Sequence, residues 1–201
     1  MKSKLILTLL LATVTTVTAA AADNAATGHG WLTGRLADYN ELRPHLPAAE
    51  LALRVVDESI DVEHYARRML RSYVDDALAD FEEHLDADEY HYLIDVTRND
   101  VLAALRQRLT DDLAQRLATT GSLSIVDAHF DDKQGTVVLH DDAGTPPFEV
   151  LLHRREDGAW RIGDIKFSGG TLSRHYRDRY GETINGHYSP AVLVTELREL
   201  D

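Results

Sequence analysis

The hydrophobic period of this chain changes at Gly121, and that change constrains the fold more than any single motif does. Before it, Val62, Tyr65, Ala66, Met69, Leu70 and Tyr73 recur at i, i+3, i+4, i+7, i+8 and i+11, the apolar stripe of an amphipathic helix. Ala77, Leu78, Phe81 and Leu85 continue the stripe. Asp86-Ala87-Asp88-Glu89 then offers a fresh N-cap with an acid at the third helical position. From there Tyr90, Ile94, Val101, Leu105, Leu109, Leu113 and Leu117 mark one or two further helices. Upstream, Trp31, Leu32, Leu36 and Tyr39 predict a short helix ending before Pro44, and Pro47 opens another that carries Leu51 and Val55.

After Gly121 the period is two. Strands are expected over 123–130, 136–140, 148–153 and 159–167, separated by turn-forming clusters at 131–135, 141–147 and 155–158. Short connections make these antiparallel neighbours, a four-stranded meander. A helix with Leu172, Tyr176 and Tyr180 follows a Ser168-Gly169-Gly170 turn, and a second is opened by Ser189-Pro190. Helices, then a sheet, then two closing helices describe an α+β domain. In the last strand the apolar positions move from even (Trp160, Ile162) to odd (Ile165, Phe167). A bulge at Gly163-Asp164 accounts for this, and its kink would curve the sheet as a cavity requires.

The first residues are read as a leader. Lys2 and Lys4 precede an apolar run over 5–17 and an alanine-rich exit at 19–22, the pattern of a secretory signal peptide over 1–22. A single domain over 23–201 remains, with 23–30 expected to be a flexible N-terminus. No other run approaches the roughly 20 apolar residues of a membrane span, so stable membrane insertion is not expected. Cysteine is absent, which excludes disulfides, thiolate chemistry and thiolate-bound zinc, and suits an exported chain in a bacterial periplasm. The net charge of −13 argues against a nucleic-acid partner, because phosphate binding needs a basic footprint. It also disfavours adsorption to anionic headgroups, so any lipid would be met through protein partners.

Catalytic signatures are missing: there is no Gly-x-Ser-x-Gly elbow and no phosphate-cradling glycine loop. Among ten histidines, His84 with His91 and His140 with His153 are the pairs that might approach, but neither has zinc-ligand spacing, and no metal is expected. Asp131-Asp132 and Asp141-Asp142 read as solvated turn residues, without the alternating ligands of a calcium loop. Asp164 is the best candidate for a buried acid. An apolar setting would make it a general base of the kind found in cone-shaped enzymes, whereas a partner in Arg161, Arg174 or Arg177, or a turn to cap, would make it structural.

Several segments carry a family resemblance in their order. They are Asp61-Val62-Glu63-His64-Tyr65-Ala66-Arg67-Arg68-Met69-Leu70, the helix from Asp86, and Trp160-Arg161-Ile162-Gly163-Asp164-Ile165, followed by Gly170-Thr171-Leu172-Ser173, His175 to Tyr180, and the Leu193/Leu197 helix. This order resembles the MlaC family, also called toluene-tolerance proteins, over most of 51–200. Arg71 stands where that family usually has glycine, and Gly163 where it has a larger residue. The resemblance implies a non-enzymatic periplasmic carrier with no cofactor, enclosing phospholipid acyl chains in an apolar pocket between sheet and helices. It further implies exchange of phospholipid between an inner-membrane ABC transporter complex and an outer-membrane lipoprotein complex. The wall of such a pocket is expected to include Met69, Tyr73, Val101, Leu105, Val138, Val150, Leu152, Trp160, Ile162, Ile165, Phe167, Leu172 and Tyr176.

Overall fold

A computed structural model describes residues 27–186 and 188–199; the expected leader at 1–22 lies outside them. Helix α1 spans Gly28–Leu42, and Thr27 caps it by accepting from the Gly30 amide at 3.1 Å. Residues 28–30, expected to be flexible, are therefore its first turn. The reason is a close approach: a Cβ on Gly28 would sit 2.6 Å from the Phe130 ring and 3.1 Å from Trp160. Helix α2 (Ala48–Ser59) follows Pro47, and α3 (Val62–Leu70) begins at Asp61, whose carboxylate accepts from the His64 amide at 2.9 Å.

The apolar stripe expected to run on from α3 is broken at Arg71, whose φ is +54°. After this reversal come α4 (Tyr73–Leu78) and a 3-10 turn over Ala79–Phe81, so that Met69, Tyr73 and Leu78 all reach the same core. Asp86 and Glu89 complete a reciprocal capping box, with Glu89 N–H to Asp86 at 2.9 Å and Asp86 N–H to Glu89 at 3.3 Å. They start α5, one helix of 31 residues over Ala87–Leu117 rather than two.

The sheet is an antiparallel meander in the order β1 (Leu123–Phe130), β2 (Gln134–Asp141), β3 (Phe148–Arg154), β4 (Trp160–Phe167) and β5 (Gly170–Thr171). It has five strands, not four. The extra one is two residues long and folds back on β4 through a turn in which Gly170 takes a φ of +123°, so its backbone bonds form without any periodic pattern to betray them. The bulge lies where parity placed it: Leu151 faces Asp164 and Leu152 faces Ile162, leaving Gly163 unpaired. Among the described residues three closing helices follow rather than two: α6 (Leu172–Arg179), α7 (Gly181–Asn185) and α8 (Pro190–Arg198).

Two apolar cores result. One is helical, joining Val56 of α2 to buried residues of α3 to α8; the other is Leu32 of α1 packed on Val137, Leu139, Val150, Leu152 and Trp160 of the sheet. Asp141, expected to be solvated, is fully buried. Its carboxylate accepts from Gly121 N at 2.6 Å, Ala143 N at 2.8 Å and Thr145 Oγ1 at 2.9 Å, tying the end of α5 to β2. Burial alone would raise its pKa, but these donors outweigh that and hold it below the usual carboxylate value. Asp131 is exposed, as expected of a turn residue.

Arg71 is the only non-glycine residue among those described with positive φ, at a position where glycine is the unstrained choice. Arg71→Gly is therefore expected to stabilise the protein by about 1 kcal/mol, the relieved strain exceeding the added unfolded-state entropy. A denaturant titration reads this; a lower midpoint would show that Arg71 is held by contacts worth more than its strain.

Candidate functional site

The two cores meet along β4. Ile60 bridges to Ile162, and the Asp61 amide donates to the Ile162 carbonyl at 2.9 Å, so the chain entering α3 runs beside this strand. Further along, Asp164 is 1% exposed and accepts from Ser173 N at 3.1 Å, Ser173 Oγ at 2.5 Å and Ile165 N at 2.9 Å, which pins the first turn of α6 to β4. Its charged neighbour is Arg68 of α3, at 3.7 Å, rather than Arg161, Arg174 or Arg177. A carboxylate so engaged is a clamp between strand and helices, and it is shut off from solvent.

A narrow cleft of about 50 Å³ lies between α5 and the β4–β5–α6 unit. It is lined by Ile60, Leu109, Leu113, Ile165, Phe167 and Leu172, with Asp112, Arg116 and Tyr176 as the polar members. The Tyr176 hydroxyl donates to the Asp112 carboxylate, which also pairs with Arg108 Nε at 3.1 Å. Burial first, then Asp112, pushes the Tyr176 phenol far up, so it stays protonated and donating. The Arg116 guanidinium sits 5.7 Å above the Phe167 ring. At Tyr176 the rings of Tyr65, Tyr176 and Tyr180 meet edge to face at 6.0 and 6.1 Å, and the Tyr65 and Tyr180 hydroxyls are buried without a hydrogen-bond partner.

Of the thirteen expected wall residues, Ile165, Phe167, Leu172 and Tyr176 converge on this cleft. Met69, Tyr73, Val101 and Leu105 are buried in the helical core, where the Tyr73 hydroxyl donates to the Tyr188 carbonyl at 2.8 Å. Burial pushes that phenol up to about 12. Val150, Leu152, Trp160 and Ile162 pack in the sheet core. Val138 is half-buried, and its neighbours Val137 and Leu139 occupy the core instead. The residues the sequence did not single out for the cleft are Ile60, Leu109, Leu113, Asp112 and Arg116, Leu109 and Leu113 having been read only as part of a helical stripe. The last two are signalled only by the polar i, i+4 step at the end of the Leu105, Leu109, Leu113 stripe.

The expected histidine pairs do not form. His84 lies before the cap of α5 and His91 within it, while β2–β3 register sets His153 opposite Gln134, at the far end of β2 from His140. His153 instead stacks on His64, with ring centroids 4.0 Å apart. The space comes from Gly163, where a Cβ would be 2.9 Å from His64. Burial chiefly lowers both imidazole pKa values, each ring remaining neutral although Asp61 lies 3.2 Å from His153 Nε2. Asp61, Glu63, His64, Arg67, His153, Arg154 and Arg155 line an open cleft of about 660 Å³ there, with no serine, threonine or tyrosine hydroxyl to act as a nucleophile. Among the described residues no group of histidines and carboxylates is arranged to hold a metal ion.

No family model matches the chain, and no curated protein does. A solved structure is similar: a phospholipid-binding protein from Ralstonia solanacearum in complex with a phospholipid, at a TM-score of 0.52 and 15% sequence identity, over 90% of this chain and 92% of that one. The two proteins share a fold.

Removing the clamp isolates its structural role. Asp164→Ala leaves the Ser173 amide and hydroxyl without their acceptor inside the protein, so a loss of about 2–4 kcal/mol of stability is expected in chemical denaturation. A loss below about 0.5 kcal/mol would show that α6 is held to β4 by packing alone.

Proposed function

We propose that this protein is a periplasmic phospholipid carrier of the MlaC kind, exported by a cleaved leader and taking acyl chains between α5 and the β4–β5–α6 unit. The observation that carries this reading is the convergence of Ile165, Phe167, Leu172 and Tyr176 on one cleft lined mostly by hydrocarbon, with Asp112 and Arg116 as its charged members. The shared fold with a protein solved in complex with a phospholipid supports it. The engagement of Asp164 by Ser173 removes the main support for a cone-fold enzyme.

The cleft is an order of magnitude smaller than the roughly 300–1,000 Å³ of ligand pockets. Loading therefore separates α6 from α5. Each buried CH₂ contributes about 0.8 kcal/mol, so ten of them supply about 8 kcal/mol, comparable to the whole stability of a domain. Hydrocarbon is thus able to replace side-chain packing along this seam. Exchange with inner-membrane ABC transporter and outer-membrane lipoprotein complexes completes the proposal. The net charge of −13 favours protein partners over direct contact with anionic bilayers, and no described helix is long and apolar enough to cross a membrane.

Native purification followed by solvent extraction and mass spectrometry tests the reading. Phospholipid near one per chain is expected, and Ile165→Trp, which fills the cleft, lowers that occupancy about tenfold with the circular-dichroism spectrum retained. A lipid-free protein that also takes up none from vesicles would overturn it.

A further inference from the structure

Arg116 belongs to the last turn of α5, where a basic side chain complements the helix dipole. That role alone does not explain its placement. It lines the apolar cleft, it lies over Phe167, and no carboxylate of the described residues is within ion-pair distance of it. Arg54, Arg98, Arg106 and Arg174 on other helical surfaces each have an acid beside them; Arg67, Arg177 and Arg198 have no ion pair among the described residues either, but Arg116 is the arginine that lines this cleft. Asp112, the carboxylate that lines the same cleft, is committed to Tyr176 and Arg108. The cleft lining thus holds one carboxylate, already engaged, and one cation, Arg116.

We infer that Arg116 is the specificity-determining residue of this cleft. It pairs with an anionic group joined to the hydrocarbon, a phosphodiester or a carboxylate, and so selects charged amphiphiles over neutral lipids. The inference rests on the carrier reading and deepens it. The physical case is one of geometry and of exclusion. The cation–π contact with Phe167 holds the guanidinium beside the cleft, where its N–H groups can make two parallel bonds to a phosphate or carboxylate. A neutral diacylglycerol inserted in the same place would cover this cation without giving it a partner, which selects against it. Phospholipid and fatty acid present the same chemistry to Arg116, and only the recovered molecule tells them apart.

The test is a competition. Full-length mature protein is incubated with mixed vesicles of phosphatidylglycerol, oleate and dioleoylglycerol, recovered, and its lipids are quantified by class. Wild type is expected to enrich an anionic class over dioleoylglycerol, with phosphorus content identifying phospholipid and its absence identifying fatty acid. In Arg116→Gln the ratio of anionic to neutral lipid falls about tenfold, Arg116→Glu lowers it further, and Arg116→Lys restores part of it. With wild type alone, raising the salt concentration lowers the same ratio, because an exposed charge pair is screened; this arm needs no variant to fold. An Arg116→Gln ratio equal to that of wild type, or a salt-independent ratio, overturns the inference and leaves the carrier reading intact. Wild type that recovers no lipid of any class overturns both.

Discussion

The Asp164 clamp on Ser173 is the interaction on which the rest of this architecture depends. The bulge at Gly163 makes it possible: an extra residue in β4 turns Asp164 away from the sheet core and towards the first turn of α6, and it returns Ile165 and Phe167 to the side that faces α5. Without the bulge, a carboxylate would sit where the cleft needs hydrocarbon. A regular β4 would therefore lose both the anchor of α6 and two walls of the cleft. Gly163 serves a second end, since its missing side chain is the space in which His64 of α3 stacks on His153 of β3. One irregular position thus attaches helices α3 and α6 to the same strand.

That arrangement places strong and weak attachments side by side. Asp164 holds only the start of α6, by side-chain hydrogen bonds, and β5 adds two residues of backbone pairing just before it. Along the rest of the seam, α6 meets α5 through apolar side chains and the Tyr176–Asp112 contact. Hydrocarbon substitutes for apolar side chains without leaving polar groups unpaired, whereas it cannot replace the clamp. On the proposed carrier reading, the seam towards Tyr176 and Arg116 is where α6 would part from α5 while the turn at Ser173 stays fixed. The cleft beside His64 is larger, but its lining of arginine, histidine and carboxylate makes it a poor host for acyl chains; the groove between α3 and α5 mixes Ala66, Leu70, Val74, Val101 and Leu102 with charged side chains.

What was legible in the sequence was local. The change of period at Gly121, the capping box at Asp86 and Glu89, and the shift of apolar parity across Gly163 each depend on residues within a turn or two of one another. The misses have physical reasons of the same kind. Strand β5 and helix α7 are too short to show a period, and Val137-Val138-Leu139 is a continuous apolar run with no alternation to assign its faces. The reversal at Arg71 lacks the glycine that would announce it. Burial of Asp141, pairing of Asp164 with Arg68 and the stacking of His64 on His153 are set by elements far apart in the chain. Of the candidate cleft, Ile165 and Phe167 follow from strand parity and Leu172 and Tyr176 from an i, i+4 helical step, while Ile60, Leu109, Leu113, Asp112 and Arg116 join it only once α5 is laid across β4.

Photo-crosslinking with a phospholipid bearing a diazirine near the end of one acyl chain, mapped by peptide mass spectrometry, tests the central claim most directly. Adducts confined to 109–116 and 165–176 are the predicted result. Adducts concentrated around His64 and His153, or in the groove beside Arg98, would contradict it.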